Sequence, residues 1–168
     1  MVRYVDPEKD VEDIARIYGW YVRNTTVTFE FEPLTTEEML ERIRSIASAY
    51  PYYVWDECGR VTGYCYAHAW KSFPAYAVTV ESTVYVSPEV KGRGIGRMLM
   101  ERLTEECAAR GFVSMIACVT SENEESCRFH ESLGFEKVSS FRKVGNKFNR
   151  LLDVVDYQLP LVNVNYEL

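Results

Sequence analysis

A glycine-rich turn near the middle of the chain has the composition of a phosphate-binding site. Residues 91–97 read Lys-Gly-Arg-Gly-Ile-Gly-Arg and lie between a predicted strand and a predicted long helix. Glycines at alternate positions let the backbone turn tightly and expose its N–H groups. Those groups and the positive end of the following helix attract phosphate oxygens. The spacing matches neither a Walker A loop nor a Rossmann fingerprint, and a turn without any ligand is the alternative that these residues leave open.

A second pattern follows farther along the chain and reads Asn123-x-x-Ser126-x-x-Phe129-His130-Glu131-x-Leu133-Gly134-Phe135. An asparagine side chain can donate and accept hydrogen bonds, which suits the amides of a ligand, although a helix N-cap role also explains it. Together with Lys91-x-x-Gly94-x-Gly96, this pattern resembles the GNAT superfamily of N-acetyltransferases. The pyrophosphate loop of that superfamily reads Q/R-x-x-G-x-G/A and opens its central helix, and a lysine stands here in the Gln/Arg place.

Four further segments narrow the resemblance to the phosphinothricin acetyltransferase family. They are 26–29 (TVTF), 69–71 (AWK), 80–88 (VESTVYVSP) and 145–148 (GNKF), and the similarity covers about residues 2–161. The resemblance implies one α/β (α+β) domain of GNAT fold over residues 1–161, with a mixed central sheet flanked by helices, and a tail at 162–168. It also implies a homodimer that moves the acetyl group of acetyl-CoA to the α-amine of phosphinothricin, methionine sulfoximine, methionine sulfone or a similar small amino acid.

The resemblance implies an acetyl-CoA site built from three segments. The strand around 84–86 would hydrogen-bond the pantetheine arm, the glycine-rich turn would hold the diphosphate, and Asn123 would contact the pantetheine amides. Backbone N–H groups of the same strand would stabilise the oxyanion at the thioester. The implied cofactor-binding residues are Val84, Tyr85, Val86, Lys91, Gly92, Arg93, Gly94, Ile95, Gly96, Arg97, Asn123 and Ser132.

Glu81 is the candidate general base. An amine must lose a proton before it attacks a thioester, and a carboxylate at the pocket wall can accept that proton. Within the apolar run 78–86, Glu81 shares one face with Thr83 and Tyr85, because side chains alternate along a strand. A carboxylate there is costly unless it is exposed or employed, and partial burial would raise its pKa toward a useful value. A solvent-facing or ion-paired glutamate is the alternative.

The two histidines receive different predictions. His130 is the candidate general acid, which would protonate the departing CoA thiolate or hold a water near the sulfur. The alternative for His130 is a buried side chain bonded to a backbone carbonyl. His68 lies in a strand of alternating pattern and is interpreted as structural. Their positions, and the absence of paired cysteines from the sequence, predict no metal site.

Recognition of the amino acid is assigned to Phe29, Lys71, Phe73 and Tyr76. A substrate carboxylate needs a cation, and Lys71 is the nearest one by motif; a surface lysine is the alternative. The phosphinothricin-specific pattern usually has an arginine where this chain has Phe73. The segment 70–73 is therefore closer to that of relatives acting on methionine derivatives.

Two other functions fit the same motifs. A peptide or protein N-acetyltransferase would require an open groove, whereas the long segments 24–34 and 70–78 indicate pocket walls. A non-catalytic acetyl-CoA sensor would keep the glycine-rich turn but would have no use for a base at Glu81.

The elements that must position these residues follow from hydrophobic periodicity. The predicted order is β-α-α-β-β-β-α-β-α-β-β, with the main helix over about 94–110 and the candidate base in the strand before it. Asp10 is predicted to cap the first helix, Thr35 or Thr36 the second, and Asn123 the fourth.

The composition excludes several classes of partner. A net charge of −6 without a Lys/Arg cluster argues against nucleic acid and anionic membranes, because both attract basic surfaces. The apolar runs are too short to cross a bilayer, and residues 1–10 lack the apolar core of a secretory signal. We therefore predict a cytoplasmic protein that acts on a small-molecule amine, with its five cysteines reduced and mostly buried.

Overall fold

A sheet of seven strands organises the computed structural model, which describes residues 1–161. The strands are β1 (Val2–Tyr4), β2 (Tyr52–Glu57), β3 (Arg60–Ala69), β4 (Thr79–Val86), β5 (Ser114–Thr120), β6 (Glu136–Lys147) and β7 (Arg150–Pro160). Their spatial order is β1-β2-β3-β4-β5-β7-β6. The pairing of β4 with β5 is parallel and the other pairings are antiparallel.

Four α-helices flank this sheet in the described residues. They are α1 (Pro7–Asn24), α2 (Thr36–Ala47), α3 (Ile95–Ala109) and α4 (Glu124–Ser132). Two short 3₁₀ turns, Pro74–Tyr76 and Pro88–Val90, precede and follow β4. The element order predicted from the sequence is confirmed. The predicted tail at 162–168 lies outside the described residues, so the domain boundary at 161 stays a prediction.

One face of the sheet packs against α3. Leu99, Leu103 and Cys107 of that helix are fully buried, and they form one cluster with apolar residues of β3, β4, β5 and β7. The helix begins where the glycine-rich turn ends, so this packing fixes the position of the turn relative to β4. Burial of these side chains is the main stabilising contribution on this face, at roughly 1.5–3 kcal/mol for each large aliphatic side chain.

The opposite face is covered only in part. Helices α1 and α2 bury Ile14, Val22 and Ile43 against tyrosines and valines of β2 and β3, and their main contacts with the sheet fall on β3 and β4. Across β5, β7 and β6 the same side of the sheet presents Cys118 and Phe141 to solvent. We call this uncovered surface of β5, β7 and β6 the open face.

Two expectations from the sequence are wrong. The cap of α1 is Asp6, whose side chain accepts a hydrogen bond from the Lys9 N–H, because Pro7 at the first helical position starts the helix one turn earlier than predicted. Asp10 is instead buried and pairs with Arg3 at 2.7 Å. The cysteines are free but not mostly buried: two are buried, one is intermediate, and Cys58 and Cys118 are exposed.

No helix among residues 1–161 combines the length and the apolar character that crossing a bilayer requires. The longest of them, α1, spans 18 residues and carries charged side chains along one side.

Helix α2 begins with a capping box formed by Thr35 and Glu38. Thr35 Oγ1 accepts from the Glu38 N–H at 3.2 Å, and Glu38 Oε2 accepts from the Thr35 N–H at 2.8 Å. Thr35→Ala removes one of these bonds and is expected to lower the free energy of unfolding by about 1 kcal/mol. Urea denaturation measures this, with Thr36→Ala at the next, exposed position as the control. An equal loss in both variants would contradict the capping assignment.

Candidate active site

The sheet opens into a fork between β4 and β5. Their parallel pairing runs through Thr79↔Ser114 and Val80↔Met115 and ends at Glu81↔Ile116. Beyond that point β5 stays paired with β7, while β4 stays paired with β3 as far as Val86. The Ser82 hydroxyl donates to the Ile116 carbonyl at 3.3 Å and closes the vertex of the fork. One edge of β4 after Ser82 therefore has backbone groups available to a ligand.

A cleft of about 520 Å³ extends from this fork across the start of α3. Val84–Val86 form its β4 wall, and α1 contributes Trp20 and Tyr21. The remaining walls come from the 25–27 loop, the glycine-rich turn and the first residues of α4. Predicted cofactor residues in the lining are Val84, Tyr85, Val86, Lys91, Gly92, Gly94, Ile95, Gly96, Arg97 and Asn123. Arg93 and Ser132 are not part of this lining in the described residues.

The glycine-rich turn has the backbone that its sequence predicts. Gly92 and Gly94 have φ of 78° and 77°, a conformation that other residues adopt only with strain. Gly94 is the N-cap of α3 and has no side chain to satisfy the first N–H groups of the helix. A side chain at Gly96 would meet the Phe129 ring at 3.4 Å. The turn therefore presents N–H donors and the positive end of α3 to the cleft, which is suitable for a diphosphate.

The basic residues of the turn have different partners. Lys91 Nζ pairs with Glu125 Oε2 at 3.0 Å, and both residues line the cleft. Arg97 donates to the Ser132 hydroxyl at 2.8 Å. Arg93 instead pairs with Glu57 at 2.7 Å. Lys91 and Arg97 are thus the two cations of the turn at the cleft wall.

Asn123 caps α4, and its predicted contact with the cofactor stays a prediction. Its side-chain oxygen accepts from the Ser126 N–H at 3.1 Å, which caps α4. The residue also lines the cleft. The cap fixes the side-chain oxygen, so the amide nitrogen is the group that can reach a ligand.

Glu81 lies at the vertex of the fork. Its side chain is 26% exposed and lies 3.8 Å from His68, measured from Oε1 to Nε2. Burial raises the pKa of Glu81 above its usual range; His68 lowers it and the Asp156 carboxylate raises it further. On the same face of β4, Tyr85 lines the cleft on one side of Glu81. Thr79 lines a second depression, of about 480 Å³, on the other side.

His68 is a neighbour of Glu81 that the sequence did not reveal. The two residues are directly opposed in the antiparallel pairing of β3 and β4. The connection between these strands is long, so the sequence does not fix their register. A hairpin with a short turn would have allowed the pairing to be predicted.

The second depression brings together Trp70, Lys71 and residues of the open face. Lys71 Nζ lies 4.2 Å from the centre of the Trp70 ring and 5.1 Å from that of Tyr76, distances typical of cation–π contacts. Phe73 does not belong to this wall and is 71% exposed. The lining residues are Trp70, Lys71, Thr79, Ser114, Ile116, Val138, Ser139, Phe141, Asp156 and Gln158.

Phe29 belongs to a loop that is held against the far end of the sheet. The Thr120 hydroxyl donates to the Thr26 carbonyl at 2.6 Å, and the Lys147 ammonium donates to the Thr28 carbonyl at 2.8 Å. The Phe29 ring occupies the space that a side chain at Gly145 would need. Lys147 is buried, and burial lowers its pKa while Glu30 opposes that shift. The position of Phe29 is therefore set by β5 and β6.

His130 is buried among aromatic rings. Its Nδ1 donates to the Ser126 carbonyl at 2.8 Å, and the rings of Phe129, Phe135 and Tyr157 surround it. Burial lowers its pKa, which favours the neutral side chain, while the hydrogen bond to Ser126 opposes that shift. His130 is not part of the cleft lining within residues 1–161. This geometry favours the alternative of a buried histidine, and the general-acid role stays a prediction.

Comparison with known proteins shows which family the chain belongs to. The model of the acetyltransferase (GNAT) family matches residues 14–135. A phosphinothricin N-acetyltransferase of Streptomyces coelicolor is 38% identical over 158 residues, 92% of each chain. An L-methionine sulfoximine/L-methionine sulfone acetyltransferase of Salmonella typhimurium is 37% identical and aligns with 95% of this chain and 94% of its own.

Solved structures agree with the fold. The phosphinothricin acetyltransferase of Sinorhizobium meliloti, in complex with acetyl-CoA, has a TM-score of 0.91 and 38% identity, covering 95% of this chain and 87% of that one. The protein yncA of Salmonella typhimurium, with its cofactor acetyl-CoA, has a TM-score of 0.93 and 36% identity, covering 96% and 94%.

The chain belongs to the GNAT family of acetyltransferases. It is thus an acetyl-CoA-dependent N-acetyltransferase. The predicted family, fold and class of enzyme are confirmed, as is acetyl-CoA as the cosubstrate.

The pair formed by Lys91 and Glu125 leads to a test of the cleft. A diphosphate held at the predicted site would compete with the Glu125 carboxylate for Lys91, so Glu125→Gln is expected to tighten CoA binding. The pair is largely exposed, and such pairs contribute at most about 1 kcal/mol. The expected gain is therefore about twofold to fivefold in Kd, measured by calorimetry at low ionic strength.

The matched control is Glu124→Gln. Glu124 precedes Glu125 and pairs with the exposed Arg128 at 3.0 Å. It should leave CoA binding unchanged, and pantetheine, which lacks the diphosphate, should bind equally to both variants. Weaker CoA binding by Glu125→Gln would place the diphosphate elsewhere.

Proposed function

We propose that this chain acetylates the α-amine of a small amino acid or amino-acid analogue, with Glu81 as the general base. Phosphinothricin, methionine sulfoximine and methionine sulfone are the candidate acceptors. The position of Glu81 at the vertex of the fork carries the proposal. A pantetheine arm laid along the free edge of β4 would bring its acetyl end to that vertex, beside a partly buried carboxylate.

The cofactor is assigned to the cleft. Backbone groups of Val84–Val86 would hydrogen-bond the arm, and an N–H group of this segment would stabilise the oxyanion. The glycine-rich turn, with Lys91 and Arg97, would hold the diphosphate. Ser132 supports this site indirectly through its hydrogen bond to Arg97. Arg93 would take part only after leaving Glu57.

The chemistry assigned to the protein is the removal of a proton. Acetyl-CoA supplies a thioester whose carbonyl carbon accepts the amine. At neutral pH an amino acid carries an ammonium group, and Glu81 would accept its proton directly or through a water. Proton transfer is most efficient when the pKa of the base lies near the working pH. The raised pKa of Glu81 therefore makes it a better base than an ordinary glutamate near neutral pH.

Recognition of the acceptor is assigned to the second depression. Lys71 is held between Trp70 and Tyr76 and can pair with the substrate carboxylate. The depression lies beside Glu81, because Thr79 and the Glu81 partner Ile116 both line it. Phe29 and Phe73 do not line this depression in the described residues, and their contact with the amino-acid side chain stays a prediction. The presence of Phe73, not arginine, supports methionine derivatives over phosphinothricin.

Replacement of Glu81 distinguishes an enzyme from a non-catalytic acetyl-CoA sensor. Glu81→Gln is expected to lower kcat by about 100-fold or more while leaving the Kd of CoA unchanged, because loss of a general base typically costs that much. Release of CoA thiol is measured over a panel of amino acids and analogues. The exposed Glu136→Gln is the control.

The pH dependence of activity provides a second test of Glu81 as the general base. The reaction requires the Glu81 carboxylate, and burial raises its pKa. Activity should therefore be lost as the pH falls through this raised pKa, at a higher pH than for an ordinary glutamate, and Glu81→Gln should lack that limb. Tight CoA binding with no turnover on any amine would favour the sensor, and turnover on peptides alone would favour a peptide acetyltransferase.

A homodimer in the cytoplasm is part of the proposal. Large apolar side chains outside the lining of the second depression are exposed at the β6–β7 edge, namely Val144, Phe148 and Leu151, and a second copy would cover them. Leu151→Glu is expected to convert a dimer to a monomer in light scattering, because the charge would be buried without a partner. Met98→Glu, at an exposed position of α3, is the control. A monomeric wild-type chain would contradict this part.

A further inference from the structure

A histidine faces the proposed base from the neighbouring strand. His68 of β3 is the direct partner of Glu81 in the β3–β4 register, and His68 Nε2 lies 3.8 Å from Glu81 Oε1. The imidazole is 34% exposed, against 26% for the carboxylate. Both side chains are therefore partly exposed, and the imidazole can exchange a proton with water.

The other imidazole nitrogen fixes which proton His68 carries. Nδ1 lies 3.0 Å from the Ala69 carbonyl oxygen, and a carbonyl can only accept a hydrogen bond. The neutral ring therefore has its hydrogen on Nδ1 and its lone pair on Nε2. That lone pair is on the side of Glu81, so the ring is oriented to receive a proton from a protonated Glu81.

The other titratable groups around Glu81 are less suited to take that proton. Asp156 of β7 is itself a carboxylate, and its Oδ2 already accepts a hydrogen bond from the Ser139 hydroxyl at 2.9 Å. Desolvation and the nearby Glu81 and Asp156 raise the pKa of the Cys118 thiol on β5 to about 12, so it stays protonated. Burial likewise raises the pKa of Tyr66 on β3. The imidazole of His68 is the one group among these four with a nitrogen lone pair directed toward Glu81.

We propose that His68 receives from Glu81 the proton that the carboxylate removes from the substrate, and passes it to solvent. The inference rests on the proposed role of Glu81 and adds a residue that acts through it, without contact to the amine. The ammonium gives one proton to the carboxylate, which leaves a neutral amine and a carboxylic acid. The acid gives that proton to Nε2, which restores the carboxylate and forms an imidazolium, and the imidazolium gives it to water or buffer.

The distance between His68 and Glu81 means that the proton transfer requires a small movement or a bridging water. A separation of 3.8 Å is an ion-pair distance and exceeds the range of a hydrogen bond. A side-chain rotation of either residue, or one bridging water, closes the gap. Both side chains are partly exposed, which leaves room for either. After the transfer, the imidazolium and the carboxylate form a charge pair that favours the ionised base.

The first test is a pH profile. His68→Gln keeps a polar side chain but cannot accept a proton from a carboxylic acid, so kcat is expected to fall about tenfold to a hundredfold. The acidic limb of the profile should move to higher pH, because the imidazolium lowers the pKa of Glu81 and the variant lacks it. The Kd of CoA should not change. Arg60→Gln, at the exposed opposite end of β3, is the control and should match wild type.

The second test distinguishes proton transfer from a structural role. His68→Gly removes the side chain, and added imidazole is expected to restore turnover in proportion to the concentration of its neutral form. Imidazole should not restore Glu81→Gln. Thermal melting and CoA binding establish that each variant is folded.

Different results would contradict the role of His68 and the role of Glu81. Wild-type kinetics in His68→Gln would overturn the proposal, and so would a loss of kcat with an unshifted acidic limb and no restoration by imidazole. Full activity of Glu81→Gln would instead overturn the proposed function, so the two failures are distinguishable.

Discussion

The site depends on one interruption of backbone hydrogen bonding, the end of the β4–β5 ladder at Glu81↔Ile116. A continuous ladder would leave no space between the two strands and no unpaired edge on β4. The fork is stable because each strand keeps its other neighbour, β3 or β7, and because Ser82 bridges its vertex. The same interruption leaves room for the cleft along Val84–Val86 and has Glu81 at its vertex, outside the cleft lining in the described residues.

Partial coverage of the sheet sets the environment of that carboxylate. Helix α1 packs mainly on β3 and β4, and α2 packs mainly on β3. Glu81 is left 26% exposed, neither sealed in the core nor fully in water. This burial raises its pKa, and the exposure is what the proposed approach of an amine requires. A helix over β5 and β7 would bury the carboxylate and block the acceptor. A sheet without any covering helix would leave Glu81 exposed, and burial would then not raise its pKa.

The loop between α1 and α2 is held by polar contacts, without regular structure of its own. Carbonyl groups of such a segment need donors where they are buried. The Thr120 hydroxyl supplies one to Thr26, and the ammonium of the buried Lys147 supplies another to Thr28. These contacts tie the loop to β5 and β6, so the placement of Phe29 depends on strands that follow it by more than half the length of the chain.

The sequence by itself determined the features that depend on local interactions. These are the order of the elements, the positive φ of Gly92 and Gly94, and the caps at Thr35 and Asn123; Asp10 failed as a cap because Pro7 sets the start of α1. Tertiary structure alone decided that His68 faces Glu81, that Glu125 meets Lys91, and that Arg93 and His130 turn away from the cleft. Those contacts join segments with long connections between them, and the register across such a connection is fixed only when the strands and helices pack.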